Sequence, residues 1–165
     1  MSLIVEDGTG METAESYASV AQADARLAAL GMTNWATLTT TEKEQALRRA
    51  TVAMVQFCGG RWKGTRLYRV QALDWPRYGV EVEGYAVLST EVPADVRNAC
   101  IDLALKAAAG DLNPDIERAV KREKVGPLET EYSDYSPQAT RYRALEQALS
   151  AYLRGSGASV PLYRA

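Results

Sequence analysis

The chain contains no histidine and only two cysteines, Cys58 and Cys100. Without histidine there is no Ser-His-Asp or Cys-His activation of a nucleophile, and the commonest metal ligand is missing. Two cysteines cannot build a zinc site, and each sits in an apolar, helix-like context. They read as small buried hydrophobes in a reducing compartment. No P-loop, GxGxxG or GxSxG pattern occurs. The expectation is a chain that is not an enzyme and carries no cofactor or metal. No apolar run approaches the roughly 20 residues that cross a bilayer, and MSLIVEDGTG lacks a signal-peptide core. The protein is therefore expected in the cytoplasm where it is made, away from membranes. Nor is there an excess of positive charge. Lys and Arg number 19 against 21 Asp and Glu, a net charge of −2. A protein whose main task is coating nucleic acid needs the opposite balance.

What is present is an ordinary globular composition, 47% hydrophobic and 24% charged over 165 residues. That length suits one domain with a real core. We expect a mainly α fold: a bundle of about four helices with a small β hairpin at residues 119–132 and a long structured loop. Residues 1–16 read as an extended arm. A first helix, capped by Ser16 or Ser19, carries Tyr17, Val20, Ala23, Leu27 and Leu30 on one stripe and ends at Gly31. Trp35 and Leu38 form a short apolar knot. A second helix starts at Thr40 or Thr41 and presents Ala46, Leu47, Ala50, Ala53, Met54 and Phe57 up to Gly59-Gly60. A third opens with Pro93 at its first position and turns Val96, Cys100, Leu103, Ala104 and Ala107 inward up to Gly110. A last helix begins near Ser136-Pro137, with Tyr142, Leu145, Leu149 and Tyr152 as its stripe. Residues 154–165 read as a C-terminal tail.

Three segments stand out as candidate surfaces. Between Phe57 and Ala72 the chain holds Arg61, Lys63, Arg66 and Arg69 with no acid, interleaved by Trp62 and Tyr68. This is the best nucleic-acid signal present. A solvated loop, or one docking on an acidic protein, reads the same residues differently. The aromatics at 62, 68, 75 and 78 are expected to cover the core rather than stack on bases. The second segment is the hairpin, whose arms sort much of their charge: Lys121, Arg122 and Lys124 on one side of Gly126-Pro127, Glu129 and Glu131 on the other. Opposite charges across two strands either steady the hairpin itself, by roughly 0.2–1 kcal/mol a pair, or meet a neighbouring subunit. The third is the tail, where Val160, Leu162 and Tyr163 form a small apolar group able to dock on a partner.

VEDGTGMETAESYASVAQADARLAALG at 5–31, QALDWPR at 71–77 and AVKREKVGPLETEY at 119–132 together carry a resemblance. Their order and spacing resemble the small tailed-phage proteins labelled DnaT-like and single-stranded-DNA-binding. Those in turn are similar to the head–tail connector, or adaptor, proteins of the phage neck. The likeness runs from about residue 3 to residue 153. It implies a single adaptor domain over 1–153, a helical bundle with a long loop or hairpin, and a virion location in the phage neck. It also implies a homo-oligomeric ring, a dodecamer, between the portal protein and a tail-side neck protein. Such a ring would continue the DNA channel and touch passing DNA only transiently. The alternative that the same resemblance implies is a single-stranded-DNA-binding module using the 61–69 loop.

Overall fold

The computed structural model describes residues 2–113, 122–125, 128–131 and 142–155. Its helices begin and end where local chemistry satisfies the orphan backbone groups. Helix α1 (Val20–Ala29) starts from Ser19, whose hydroxyl accepts from the Gln22 amide while the Gln22 side chain reaches back to the Ser19 amide. This reciprocal pair satisfies two donors that the first turn cannot. At its end Leu30 is the C-cap, and the Met32 amide donates to the Leu27 carbonyl at 2.9 Å and the Gly31 amide to Ala28 at 3.0 Å. Closing that pattern needs a left-handed residue, which Gly31 supplies at φ 72. Leu30 lies at the cap and is 51% exposed, so it falls out of the expected apolar stripe. Tyr17 precedes the helix and is nonetheless buried.

The single turn α2 (Thr33–Ala36) buries Trp35, whose Nε1 donates to Asp24 at 2.7 Å. Helix α3 (Thr40–Cys58) is capped one residue earlier than expected. Thr39 and Glu42 form the same reciprocal pair seen in α1, and Gly59 ends the helix. Helix α4 (Ala94–Ala109) has Pro93 as its N-cap rather than its first residue, because Pro93 is extended at ψ 146. The expected inward residues of both helices are buried, save that Phe57 is only partly so, and Ala99 and Ile101 add to α4's buried set. Alanines on α3 and α4 let the two axes come close. The Thr51 hydroxyl of α3 lies 3.4 Å from the Cys100 sulfur of α4. Both cysteines are free and buried.

Helix α5 (Arg143–Leu149) packs on α4. Its N-cap is the non-helical Tyr142. The expected start near Ser136-Pro137 lies outside the described residues. The stripe survives: Leu145, Leu149 and Tyr152 are buried, and Tyr142 packs on Phe57 with ring centroids 5.2 Å apart. Among the described residues no helix is long and apolar enough to cross a membrane.

The strands are short antiparallel pairs: β1 (Thr65–Arg66) with β2 (Arg77–Tyr78), β3 (Glu81–Val82) with β4 (Tyr85–Ala86), and β5 (Arg122–Val125) with β6 (Leu128–Glu131). The third is the expected hairpin. Its register sets Arg122 opposite Glu131 and Lys124 opposite Glu129, while Glu123 faces Thr130. Opposite charges at directly opposed positions steady a strand pair. Lys121 lies outside the described residues, as do Val160, Leu162 and Tyr163. The first two pairs were not expected in the 61–84 loop.

The β3–β4 turn has Glu83 at φ 52 followed by Gly84 at φ 84, the two positive angles of the tight hairpin turn that favours Asn-Gly. An L-residue other than Asn, Asp or Gly pays steric cost there, about 1–2 kcal/mol in the left-handed region. Glu83→Asn is expected to raise the stability of the protein by up to about 1 kcal/mol. Urea unfolding of both proteins, followed by tryptophan fluorescence, checks it.

Candidate functional site

The 61–84 loop is organised around one buried carboxylate. Asp74 is 7% exposed. Its Oδ2 accepts from Trp62 Nε1 at 3.1 Å, and its Oδ1 accepts from Arg66 Nη2 at 2.9 Å and Nε at 3.2 Å. Its amide donates to the Tyr17 hydroxyl at 3.0 Å, which ties the loop to the start of α1. Arg77, 8% exposed, donates to the carbonyls of Lys63, Gly64 and Asp74 at 2.7, 2.9 and 3.0 Å. Gln71 stitches the same turn by donating to the Leu73 and Pro76 carbonyls and accepting from the Tyr68 amide. The Trp75-Pro76 bond is cis. Trp75 stands edge-on between Trp62 and Tyr152, each 5.7 Å away between centroids. A buried charge is tolerated only when paired and hydrogen-bonded, and Trp62 and Arg66 supply those partners to the Asp74 of QALDWPR.

The same burial sets the titration of the groups around it. Burial pushes the Tyr17 hydroxyl well above its ordinary range, and the nearby Asp74 charge adds to the rise. Burial lowers the Arg77 guanidinium, against the pull of Asp74. Burial pushes the Cys58 thiol up to about 11, with Arg61 opposing. A thiol so placed is a poor nucleophile at neutral pH.

Seen from outside, the loop looks different. In the β1–β2 pair Thr65 faces Tyr78 and Arg66 faces Arg77. The arginines turn in towards Asp74, so Thr65 and Tyr78 take the outer side, and Tyr78 is 68% exposed. Tyr85 on β4 is 79% exposed. Tyr68 is 53% exposed, and its ring closes over Gly10, where a Cβ would come within 2.8 Å of Cδ2. The expectation that loop aromatics cover the core therefore holds for Trp62 and Trp75 and fails for Tyr68 and Tyr78. Trp62, at 2% exposure, offers no face to a base.

The chain's end completes the surface. Leu153 bridges antiparallel to Trp62, the Lys63 amide donates to the Tyr152 carbonyl at 2.9 Å, and the Arg154 amide donates to Arg61 at 2.6 Å. Trp62 and Leu153 point inward, so Arg154 joins Arg61 and Lys63 on the other side. A shallow shelf of about 530 Å³ results, lined by Lys63, Arg154, Gly64, Gly79, Gly84 and the acids Glu81 and Glu83. Of the loop's cations, Arg66 is engaged by Asp74, and Arg61 by Glu146 at 3.3 Å and the Phe57 carbonyl at 2.7 Å. Arg69 is exposed, and no side-chain partner is seen for it among the described residues. Sequence reasoning missed Arg154, whose neighbours lie some ninety residues earlier, and missed Tyr78 and Tyr85 as surface rings. The hairpin residues Arg122, Lys124, Glu129 and Glu131 belong to the β5–β6 pair.

Fold and surface together define a small, mainly α-helical protein with a stapled loop that presents cations beside exposed tyrosines. The chain belongs to the family described as "Putative DnaT-like ssDNA binding protein", which matches residues 1–165. No curated protein and no solved structure matches it.

If Asp74 is the tie that holds the loop, removing its charge should loosen the loop before the helices. Asp74→Asn is expected to cost about 2 kcal/mol, the penalty for leaving charged donors short of an acceptor. Chemical denaturation measures it, and an unchanged midpoint would show that the loop is held by apolar packing alone.

Proposed function

We propose that the protein binds single-stranded DNA on the shelf beside Lys63 and Arg154, with bases stacking on Tyr78 and Tyr85. One observation carries the reading: the Trp62–Leu153 bridge sets Arg154 beside Lys63 on a rigid loop flanked by exposed rings. Platforms for single strands combine cations that follow the backbone with rings on which bases stack, and stacking tolerates any sequence. Family membership supports the same ligand. Two cations line the shelf, Lys63 and Arg154, so binding should be modest and salt-dependent. The expected slope of log affinity against log salt is about −1.4, from two phosphates at about 0.7 each. Arg154→Ala should reduce that slope by about 0.7. Tyr78→Ala and Tyr85→Ala should each weaken binding about tenfold at any salt. Removing the acids, by Glu81→Gln with Glu83→Gln, should tighten it. Fluorescence anisotropy with an oligothymidylate at two salt concentrations reads all of these, and an absence of binding at low salt overturns the reading.

A second reading, the ring-forming head–tail adaptor of a phage neck, is favoured by a different observation. Apolar side chains stand exposed well away from the shelf, Leu30, Met32 and Val52 among them, at 51%, 43% and 57%. Such surface suits contact with a neighbouring subunit or with a portal. The paired hairpin charges offer a probe. Glu129→Lys with Glu131→Lys would set like charges opposite Lys124 and Arg122, and assembly should weaken most at low salt, where screening is least. Native mass measurement in the presence of the portal decides. A protein that stays monomeric there is not an adaptor.

A further inference from the structure

Arg154 belongs to no helix or strand that would hold it in place. The helix before it, α5, has seven residues, of which Leu145 and Leu149 are buried. Past α5 the chain crosses to the loop in a single isolated bridge, Leu153 against Trp62. A short set of contacts fixes this crossing. Leu153 is buried, and the backbone on either side of it bonds to the loop, through the Lys63 amide to Tyr152 and the Arg154 amide to Arg61. Tyr152 anchors the crossing to a third element. Its ring stands edge-on to Trp75, and its hydroxyl donates at 2.9 Å to the carboxylate of Asp95 in the first turn of α4. Burial and that carboxylate push the hydroxyl up to about 12, so the bond persists at neutral pH.

None of Tyr152, Leu153 and Asp95 lines the shelf, so they reach a strand there only through the residue they place. A segment held in this way opens locally at less cost than the bundle, because α1, α3 and α4 keep their own packing when it lifts. Opening takes Arg154 away from Lys63 and leaves the shelf with one of its two cations. We propose that Tyr152 and Leu153 are positioning residues of this site, acting through Arg154, and that strand binding and docking of residues 150–154 strengthen each other. The proposal rests on the DNA reading for its ligand. The reciprocity follows from linkage: a strand that prefers the docked form holds the segment down by the same factor.

The test follows two readouts in full-length proteins: anisotropy of an oligothymidylate over a range of salt, and hydrogen exchange at the Arg154 amide. Leu153→Ser removes the apolar side chain and adds no charge. It should reduce the salt slope by about 0.7, as Arg154→Ala does, and the double variant should reduce it no further. Leu153→Met, which refills the space, should keep the native slope. Exchange at Arg154 should quicken at least about tenfold in Leu153→Ser while amides of α3 and α4 keep their rates, and should slow in the native chain when the oligonucleotide is added. Tyr152→Phe keeps the ring and loses only the Asp95 bond, so it serves if Leu153→Ser does not fold, and it should quicken the same exchange at least about threefold. An unchanged slope in Leu153→Ser overturns the proposal, and so do losses that add in the double variant. Exchange at Arg154 that quickens only together with α3 and α4, or that the oligonucleotide leaves unchanged, overturns it as well. A native chain that binds no oligonucleotide at low salt overturns the DNA reading and this proposal with it, whereas the other outcomes overturn the proposal alone.

Discussion

Everything distinctive about this protein depends on the burial of one negative charge. Asp74 lies beneath a loop that has only two-residue strand pairs to hold it, and a segment so poor in regular structure would ordinarily be mobile. A carboxylate in that position must be neutralised and hydrogen-bonded, and meeting that need draws Trp62 and Arg66 to a single point, where the Asp74 amide also donates to the Tyr17 hydroxyl. Trp62 then carries Leu153 with it through the backbone bridge, which brings the C-terminal residues onto the loop. One polar tie thus fixes the start of α1, the loop and the residues after α5 relative to one another.

The N-terminal arm uses the same device. Glu6, 4% exposed, accepts from the amides of Gly8, Gly10 and Met11 at 3.0, 2.9 and 2.9 Å. Three converging amides make a concavity suited to an anion, and here the chain fills it with its own side chain. The arm can follow so tight a path because Gly8 lies against the Thr90 carbonyl, where any Cβ would come within 2.2 Å. The motifs VEDGTGM and QALDWPR each hold a buried acid, Glu6 and Asp74. Their residue choices answer to internal hydrogen bonding first, and whatever they bind is left to the side chains that point outward.

That division decides how much charge reaches the surface. A count of cations in the 61–69 run suggests a strong basic patch, but Arg66 is bound by Asp74 and Arg61 is turned to Glu146 and a helix carbonyl. What is lost there is partly restored by Arg154, and the ring faces come from Tyr78 and Tyr85 rather than from Trp62. In the hairpin, likewise, the register sets Arg122 opposite Glu131 and Lys124 opposite Glu129. In both places a pattern striking in one dimension is partly absorbed by the fold.

The helices were legible in the sequence because their signals are local. Caps such as Ser19, the stop at Gly31 and the spacing of apolar residues in α3 and α4 all act over a few residues. Errors at that level were shifts of a residue or so, Thr39 for Thr40 and Pro93 one place earlier. Which side of the loop each aromatic would take was not legible. Trp62, Tyr68, Trp75 and Tyr78 share one composition and one neighbourhood, and what separates them is pairing across β1 and β2 and the pull of Asp74 on whichever donors face it. Arg154 was hidden for the same reason, since its place beside Lys63 comes from a contact between residues far apart in the chain. Sequence by itself determined the helices, their core faces and the hairpin, because periodicity and caps are short-range. Only the tertiary structure decided which charges and rings remain at the surface, because burial is settled by every element at once.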